Sequence, residues 1–310
     1  DDKAGFLTAL AQKGETPSEI AGFAGELRSR AIDPGLEPSR HNHIILDVCG
    51  TGADMAHTFN ISTCVTFVAA AAGIAVAKHG NRAITSQSGS ADVLAALGAN
   101  IELAPPKARR CLEQTGVAFF FAPAYHPAFK TIAPVRKKLA ERKQRTVFNI
   151  LGPLVNPARP THQVVGLFDP HRVTIYAEVL RLLGLKSALV VHGDGLDELT
   201  TTGPNLAALL RHNQVAGIEV LPAKLGIKPA AKEDLAGGDP AHNAQITRDI
   251  LTGSDRGPRR DIVLLNAAAA LYVTGHAGTW AQGIIQAGTL IDSGKALDRL
   301  DRFVQASRQD

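Results

Sequence analysis

The stretch Asp47–Asp92, DVCGTGADMAHTFNISTCVTFVAAAAGIAVAKHGNRAITSQSGSAD, decides the fold. The apolar run Ile44–Val48 leads into the turn Cys49-Gly50-Thr51-Gly52-Ala53-Asp54. Asn60-Ile61-Ser62-Thr63 then opens Cys64–Gly73, which reads as a buried helix. A second apolar run ends in Lys78-His79-Gly80-Asn81, ahead of a Ser/Gly turn at Ser86–Ser90. Each of these pieces sits where a strand meets a loop or helix, and open parallel sheets bind ligands at the carboxyl ends of their strands. A glycine turn lets backbone N–H groups approach an anion, and a helix start presents free N–H groups and a positive dipole end. Ser62 and Thr63 either cap that helix or lend hydroxyls to a phosphate or a hydrated metal, and Lys78 supplies a point charge. Together they make a cradle for a ligand carrying several phosphates.

Outward from this segment, strands and helices alternate. Strands are expected at 44–48, 74–78, 117–122, 163–167 and 187–192, and helices at 62–72, 90–97, 128–139 and 171–183. This rhythm predicts an α/β fold with a mostly parallel sheet covered on both faces. Two amphipathic helices, 2–10 and 17–32, precede it, with a linker containing two prolines at 34–42. Residues 205–239 are less patterned, with one strand at 215–221 and a Gly/Pro/Lys-rich loop. Residues 261–274 form a helix apolar nearly all round, hence buried, and helices at 278–288 and 295–306 close the chain.

The 310 residues, 45% of them hydrophobic, can bury a large core. A formal charge of +4 and a pI near 9.0 suit acidic ligands. The basic residues Arg136, Lys137, Lys138, Arg142, Lys143 and Arg145 lack interleaved aromatics, so they read as a solvated helix face and not as a nucleic-acid surface. No stretch is long and apolar enough to span a membrane, and no secretory signal pattern opens the chain. Cys49, Cys64 and Cys111 lack metal-ligand spacing and read as reduced, mostly buried thiols of a cytoplasmic protein.

The chain resembles the anthranilate phosphoribosyltransferases. Their GTGGD turn, NxST helix start and KHGN tetrad stand here as Gly50–Asp54, Asn60–Thr63 and Lys78–Asn81, followed by the Ser-rich turn Ser86–Ser90. Their His-Pro and Val-Arg pairs are His126-Pro127 and Val135-Arg136, and their FNxLGPLxNP stretch is Phe148–Pro157. The His-Gly…Leu-Asp-Glu element is His192–Glu198, and the closing GPxRDIVLLNAAAAL run is Gly257–Leu271. These motifs, in the right order over more than two hundred residues, make a specific match. The resemblance implies a nucleoside phosphorylase/phosphoribosyltransferase-like fold. A small helical domain, residues 1–40 joined by the insertion 129–154, packs on a large α/β domain of residues 43–128 and 155–310. It also implies further helical residues before Asp1 and a homodimer through the helical domain.

The implied reaction joins the amine of anthranilate to C1 of phosphoribosyl pyrophosphate and expels pyrophosphate. No covalent nucleophile is needed. The resemblance assigns the phosphoribosyl pyrophosphate to Gly50, Ala53, Asp54, Thr58, Asn60, Ile61, Ser62 and Thr63, then to Lys78, His79, Gly80, Asn81, Arg82, Ala83, Ile84, Thr85, Ser86 and Ser90. Asp197 and Glu198, at the carboxyl end of a strand, hold Mg2+ with Ser62, since adjacent carboxylates suit a hard cation that keeps waters and bridges to phosphates. Arg136 grips the carboxylate of anthranilate, with Gly50, His79, Asn81 and His126 about the ring. His79 is a candidate general base, although water can take the proton of an acidic aromatic ammonium. Two departures stand out. Ala53 replaces the family's glycine and Met55 follows Asp54, and the segment 139–145 is longer and more charged than the family's usual turn. If position 53 needs a positive φ, alanine there costs on the order of 1 kcal/mol.

Two other readings compete. A nucleoside phosphorylase of related fold shares the cradle but has no use for the Asp197-Glu198 pair. A non-catalytic, nucleic-acid-binding paralogue should lack the KHGN and Asp-Glu elements and carry a basic groove.

Overall fold

A computed structural model of the chain describes residues 2–52, 57–83 and 87–309. Helices α1 (Asp2–Lys13) and α2 (Pro17–Ser29) open the chain, and α2 starts on a capping box in which Thr16 and Glu19 satisfy each other's backbone N–H groups. β1 (Ile45–Gly50), α3 (Ile61–Ala71), β2 (Ala75–Gly80), α4 (Ser90–Ala96), α5 (Pro105–Thr115) and β3 (Val117–Phe121) follow. Next come the short α6 (Ala122–Tyr125), α7 (Phe129–Glu141), β4 (His162–Gly166), α8 (Val173–Leu182), β5 (Ser187–Gly193), β6 (Asn205–Arg211) and β7 (Gln214–Val220). Helices α9 (Pro240–Thr252), α10 (Pro258–Val273), α11 (Trp280–Asp292) and α12 (Lys295–Arg308) complete the chain.

Among the described residues, seven strands form one sheet in the order β3-β2-β1-β4-β5-β6-β7, parallel from β3 to β5 and antiparallel beyond. The chain runs outward from β1 through β2 to β3, then returns to β1's other side as β4. That reversal opens a crevice at the carboxyl ends of β1 and β4. Helices α3, α5, α10 and α12 cover one sheet face in a core that includes Phe67, Phe119, Leu265 and Phe303. The other face is covered by α8 and α2, with Leu139 of α7 and the turn residues Ile150, Leu151 and Leu154, around Tyr176 and Val165.

Among the described residues the expected helices and strands are present to within a few residues, and besides the one-turn α6 there are three longer additions. The first is β6, inside the stretch read as poorly patterned. It pairs with β7 through the tight turn His212-Asn213, whose residues both take positive φ (52° and 59°). Such a turn is usually written Asn-Gly, and this less familiar pair hid the hairpin. The second is α5, which has a proline start and ends on left-handed Gly116. Its polar face masked its period. The third is α9, capped by Asp239 and ended by left-handed Gly253, signals that were present in the sequence.

Glycines shape the crevice. Gly50 and Gly166 end β1 and β4 and are register partners. A Cβ on Gly50 would lie 2.1 Å from Asp197 Oδ2, and one on Gly166 1.5 Å from the Asp197 carbonyl oxygen. Bare backbone at both strand ends is what lets the Asp197 segment cross them. Gly166→Ala is therefore expected to cost about 2–3 kcal/mol by overpacking, read as a lower urea midpoint. Gly25→Ala in α2, where a Cβ meets nothing within 4 Å, should leave the midpoint unchanged or raise it.

Candidate active site

The crevice has two walls, on opposite faces of the sheet. Side chains alternate along a strand, so the adjacent Lys78 and His79 of β2 enter different walls.

On the first wall, Lys78 is buried, and its ammonium donates to the Val48 carbonyl (2.7 Å) and to Ser62 Oγ (3.0 Å). Burial pulls its pKa down, while Asp47, Cys49 and Glu198 nearby favour the charged form. The residue that starts α3 is Asn60; Ser62 and Thr63 lie in its first turn, so their hydroxyls do not cap it. Asn60 is itself held by side-chain bonds. Its amide donates to the Ser88 carbonyl (3.2 Å), and its oxygen accepts from Asn243 of α9 (3.0 Å). Ile61 is buried beneath the helix start, and Thr58 forms an isolated bridge with Ala236. The hydroxyls of Thr63 and Ser88 are buried without a hydrogen-bond partner among the described residues.

The second turn folds against this wall. Gly80 ends β2, where a Cβ would stand 2.1 Å from Ser90 Oγ. Asn81 accepts from Arg82 N–H (2.8 Å) through its side chain and from Ala91 N–H (3.2 Å) through its carbonyl. Asp92 closes the turn, accepting from Ala83 N–H (2.8 Å), Gly89 N–H (3.0 Å) and Arg82 Nη1 (2.9 Å). Its modest burial favours the neutral acid, yet these donors outweigh it and hold the pKa below the usual carboxylate range. Asp92 was not among the residues expected from the sequence, although its place three residues after Gly89 at a helix start is a readable capping signal. Ala53, Asp54 and Met55 of the first turn, and Ile84, Thr85 and Ser86 of the second, lie outside the described residues.

Asp197 and Glu198 follow β5. Asp197 Oδ2 accepts the Gly52 N–H (2.6 Å), so the carboxylate caps the glycine turn. The segment is fastened from below by Asn266 of α10, which accepts from Leu199 N–H (3.1 Å) and donates to Leu199 O (2.8 Å). Among the described residues no group of three or more His, Cys, Asp or Glu is placed to hold a metal. The residues expected from the sequence to hold the metal, Asp197, Glu198 and Ser62, would offer only hard oxygens. This fits an ion such as Mg2+ that completes its shell with water and substrate phosphate, not an ion caged by protein.

The second wall is aromatic. His79 and His126 meet at 3.1 Å between Nε2 atoms, with rings edge to face at 5.0 Å. Phe129 packs edge-on to His126 (5.5 Å) and to Phe148 (6.1 Å). The half-buried Arg136 guanidinium stands 5.7 Å and 5.5 Å from the centres of those two phenylalanine rings. Desolvation lowers the pKa of Arg136. The two phenylalanines complete a slot that residue-by-residue reading missed, because nothing in their spacing sets them apart from core. Burial, then the neighbouring His126, brings His79 down to about 3, against the opposing bond to the Gly152 backbone; burial brings His126 to about 4. Both imidazoles are therefore neutral near pH 7. The 3.1 Å contact joins one imidazole's Nε2–H to the other's Nε2 lone pair.

Comparison with known proteins fits this geometry. Residues 42–297 match the family described as "Glycosyl transferase family, a/b domain", which is the class that the sheet and its crevice define. An anthranilate phosphoribosyltransferase of Roseiflexus sp. (strain RS-1) is 50% identical over 307 residues, covering 98% of this chain and 88% of the relative. That of Deinococcus radiodurans is 47% identical over 300 residues, covering 97% and 87%. A crystal structure of anthranilate phosphoribosyltransferase from Thermus thermophilus superposes with a TM-score of 0.91 at 40% identity, covering 99% of this chain and 90% of that one. One from Saccharomyces cerevisiae, in complex with PRPP and Mg, gives 0.85 at 28% identity, covering 98% and 84%. The chain belongs to the anthranilate phosphoribosyltransferase family.

The buried histidines make stability depend on pH. His162, at the opposite end of the sheet, is also lowered to about 4, chiefly by burial. Unfolded, each titrates near 6.5. Below that value the unfolded chain binds more protons than the folded one, so stability present above about pH 6.5 is lost as pH falls toward 4. The unfolding free energy is expected to drop on the order of 1–2 kcal/mol per histidine between pH 6.5 and 5. A urea midpoint that stays flat over this interval would contradict neutral burial.

Proposed function

We propose that this chain transfers the phosphoribosyl group of 5-phosphoribosyl 1-pyrophosphate to the amine of anthranilate. The products are N-(5-phosphoribosyl)anthranilate and pyrophosphate, a step of tryptophan biosynthesis. The observation that carries the reading is the two-walled crevice. One wall is built of hydroxyls, backbone amides and a buried ammonium beside two carboxylates. The other is an aromatic slot with one guanidinium.

In this reading the first wall binds the donor. The Gly50–Gly52 turn, the start of α3 and the Asn81–Ala83 backbone surround the phosphates, as would Ala53, Asp54, Ile84, Thr85 and Ser86. Lys78 supplies positive charge from beneath through Ser62. Asp197, Glu198 and Ser62 would hold Mg2+, which would supply positive charge to the leaving pyrophosphate. The displacement passes through an oxocarbenium-like state, so stabilising that leaving group and aligning the amine account for the catalysis. The second wall takes the acceptor. Arg136 pairs with its carboxylate, while His79, His126 and Asn81 flank the ring and Gly50 approaches it through backbone. Neutral imidazoles suit a neutral amine nucleophile, and a group with a pKa of about 3 is a weak base. The proton is therefore assigned to water.

The helical unit of residues 1–40 and 129–154 and the α/β unit of 43–128 and 155–310 form the two domains, and the protein works in the cytoplasm as a homodimer. Among the described residues no helix is long and apolar enough to cross a membrane. The dimer reading is supported by an apolar groove of about 640 Å³ between α1 and α2, lined by Phe6, Ala9, Leu10 and Phe23, with Phe6 56% exposed. Phe6→Glu is expected to turn a dimer into a monomer on sizing with light scattering, and a monomeric wild type would refute the interface.

The function is tested by mixing the full chain with anthranilate, phosphoribosyl pyrophosphate and magnesium and following the loss of anthranilate fluorescence. Chelation should stop turnover and added magnesium restore it. Arg136→Ala should raise the KM for anthranilate roughly ten- to a hundredfold, the worth of a charge-assisted hydrogen bond, with little effect on the donor. Ser62→Ala should act mainly on the phosphoribosyl donor. Equal losses for both substrates in Arg136→Ala would show that the acceptor lies elsewhere.

A further inference from the structure

Asp47 lies mid-strand in β1 and is fully buried, in a parallel strand covered on both faces, where a carboxylate is least expected. Its contacts among the described residues are all donors. Asn156 Nδ2 (2.9 Å), Gln163 Nε2 (3.4 Å) and Cys49 Sγ (3.6 Å) donate to Oδ2, and the His79 backbone N–H (3.4 Å) donates to Oδ1. Burial pushes the carboxyl pKa up, while Asn156, Lys78, His79 and Cys49 pull it down. Burial outweighs these groups and leaves the pKa raised, but a carboxylic proton would face donors, so the hydrogen-bond geometry favours the carboxylate.

The donors are shared in a telling way. Asn156 Nδ2 also reaches the Ala77 carbonyl (2.8 Å), and Gln163 Nε2 also reaches the Pro153 carbonyl (2.9 Å). Arg28 Nε of α2 donates to the Leu154 carbonyl (2.5 Å), and the Tyr176 hydroxyl of α8 to the Ile150 carbonyl (2.9 Å). Strands β1, β2 and β4 are thus bound to the turn 150–156, and Asp47 is the shared acceptor at the centre. Gly152 of that turn lies beside the His79 imidazole, and Phe148 just before it frames Arg136. By strand alternation Asp47 shares its face with Cys49 and the turn, the same side as the His79–His126 pair, whereas Lys78 crosses to Ser62 on the other.

We propose that Asp47 is a positioning residue for the aromatic acceptor. It touches neither substrate. Its carboxylate sets the gap between the His79–His126 pair and the Phe148–Arg136 side of the slot by fixing the turn 150–156 against β1 and β2. The inference rests on the acceptor slot described under Proposed function and deepens it.

The test is steady-state kinetics on the full chain with both substrates and magnesium. Asp47→Asn should raise the KM for anthranilate about tenfold or more and lower kcat, while the KM for phosphoribosyl pyrophosphate stays within about threefold. Asn156→Leu, close in volume, removes the donor that Asp47 shares with the Ala77 carbonyl and should raise the KM for anthranilate in the same selective way. Gln163→Met, similar in volume, removes one spoke of the network and should give a smaller shift of the same kind. If Asp47→Asn does not fold, Asn156→Leu and Gln163→Met decide. Equal rises in both KM values overturn the inference. So does a fall in melting temperature with unchanged kinetic constants in Asp47→Asn and Gln163→Met. An inactive wild type would instead remove the acceptor reading, and this inference with it.

Discussion

The site depends on one close crossing: the Asp197 segment passes over the paired ends of β1 and β4 at contact distance. Gly50 and Gly166 have no side chains to hold it off, and Gly193 at the end of β5 admits the Glu198 carbonyl and Thr200 N in the same manner. The crossing continues the backbone bonding beyond the sheet, with Thr51 N–H bound to Gly166 O (3.0 Å) and Gly52 N–H to the Asp197 carboxylate (2.6 Å). Asn266 of α10 secures the segment from the core side, and Asn205 accepts from Thr200 N–H (2.7 Å). Two acidic side chains are thereby delivered to the switch point by backbone contacts from several elements, not by a loop free to move.

From that crossing the chemistry divides across the sheet. Consecutive residues, Lys78 and His79, serve opposite walls because a strand alternates its side chains. The Lys78 wall carries the charge of the site: an ammonium, two carboxylates, hydroxyls and helix-start amides. The His79 wall is kept nearly neutral by burial, with imidazoles at about 3 and about 4, and holds its cation, Arg136, in an aromatic frame. A polyanionic donor and a neutral aromatic amine call for surroundings of this unlike kind.

The buried polar network under the second wall follows the same logic at lower dielectric. Asp47, Asn156 and Gln163 would each be costly alone in the core, and together they satisfy one another. One acceptor is left over, since Gln163 Oε1 has no partner among the described residues. The pairing gives the irregular turn 150–156 a fixed place against regular strands, which an apolar interface of small residues would hold less specifically.

What the sequence determined by itself was the alternation of strands and helices and the end of the sheet at which its polar motifs gather. Those properties are local: glycine turns, a helix start and strand-end polar residues announce themselves within a few positions. Lys78, Ser62, Asp197 and Glu198 were legible for that reason, and the order of motifs pointed to the family. The β6–β7 hairpin was not, because His212 and Asn213 are unusual at positive φ and their pairing partner lies outside the local pattern. Only the tertiary structure brought Phe129 and Phe148 around Arg136, set His126 against His79, and turned Asp47 from a strand residue into the point where β1, β2, β4 and the turn 150–156 meet. Each of those contacts joins residues far apart in the chain, and a side chain's neighbours across a sheet are chosen by strand order, which the local sequence does not encode.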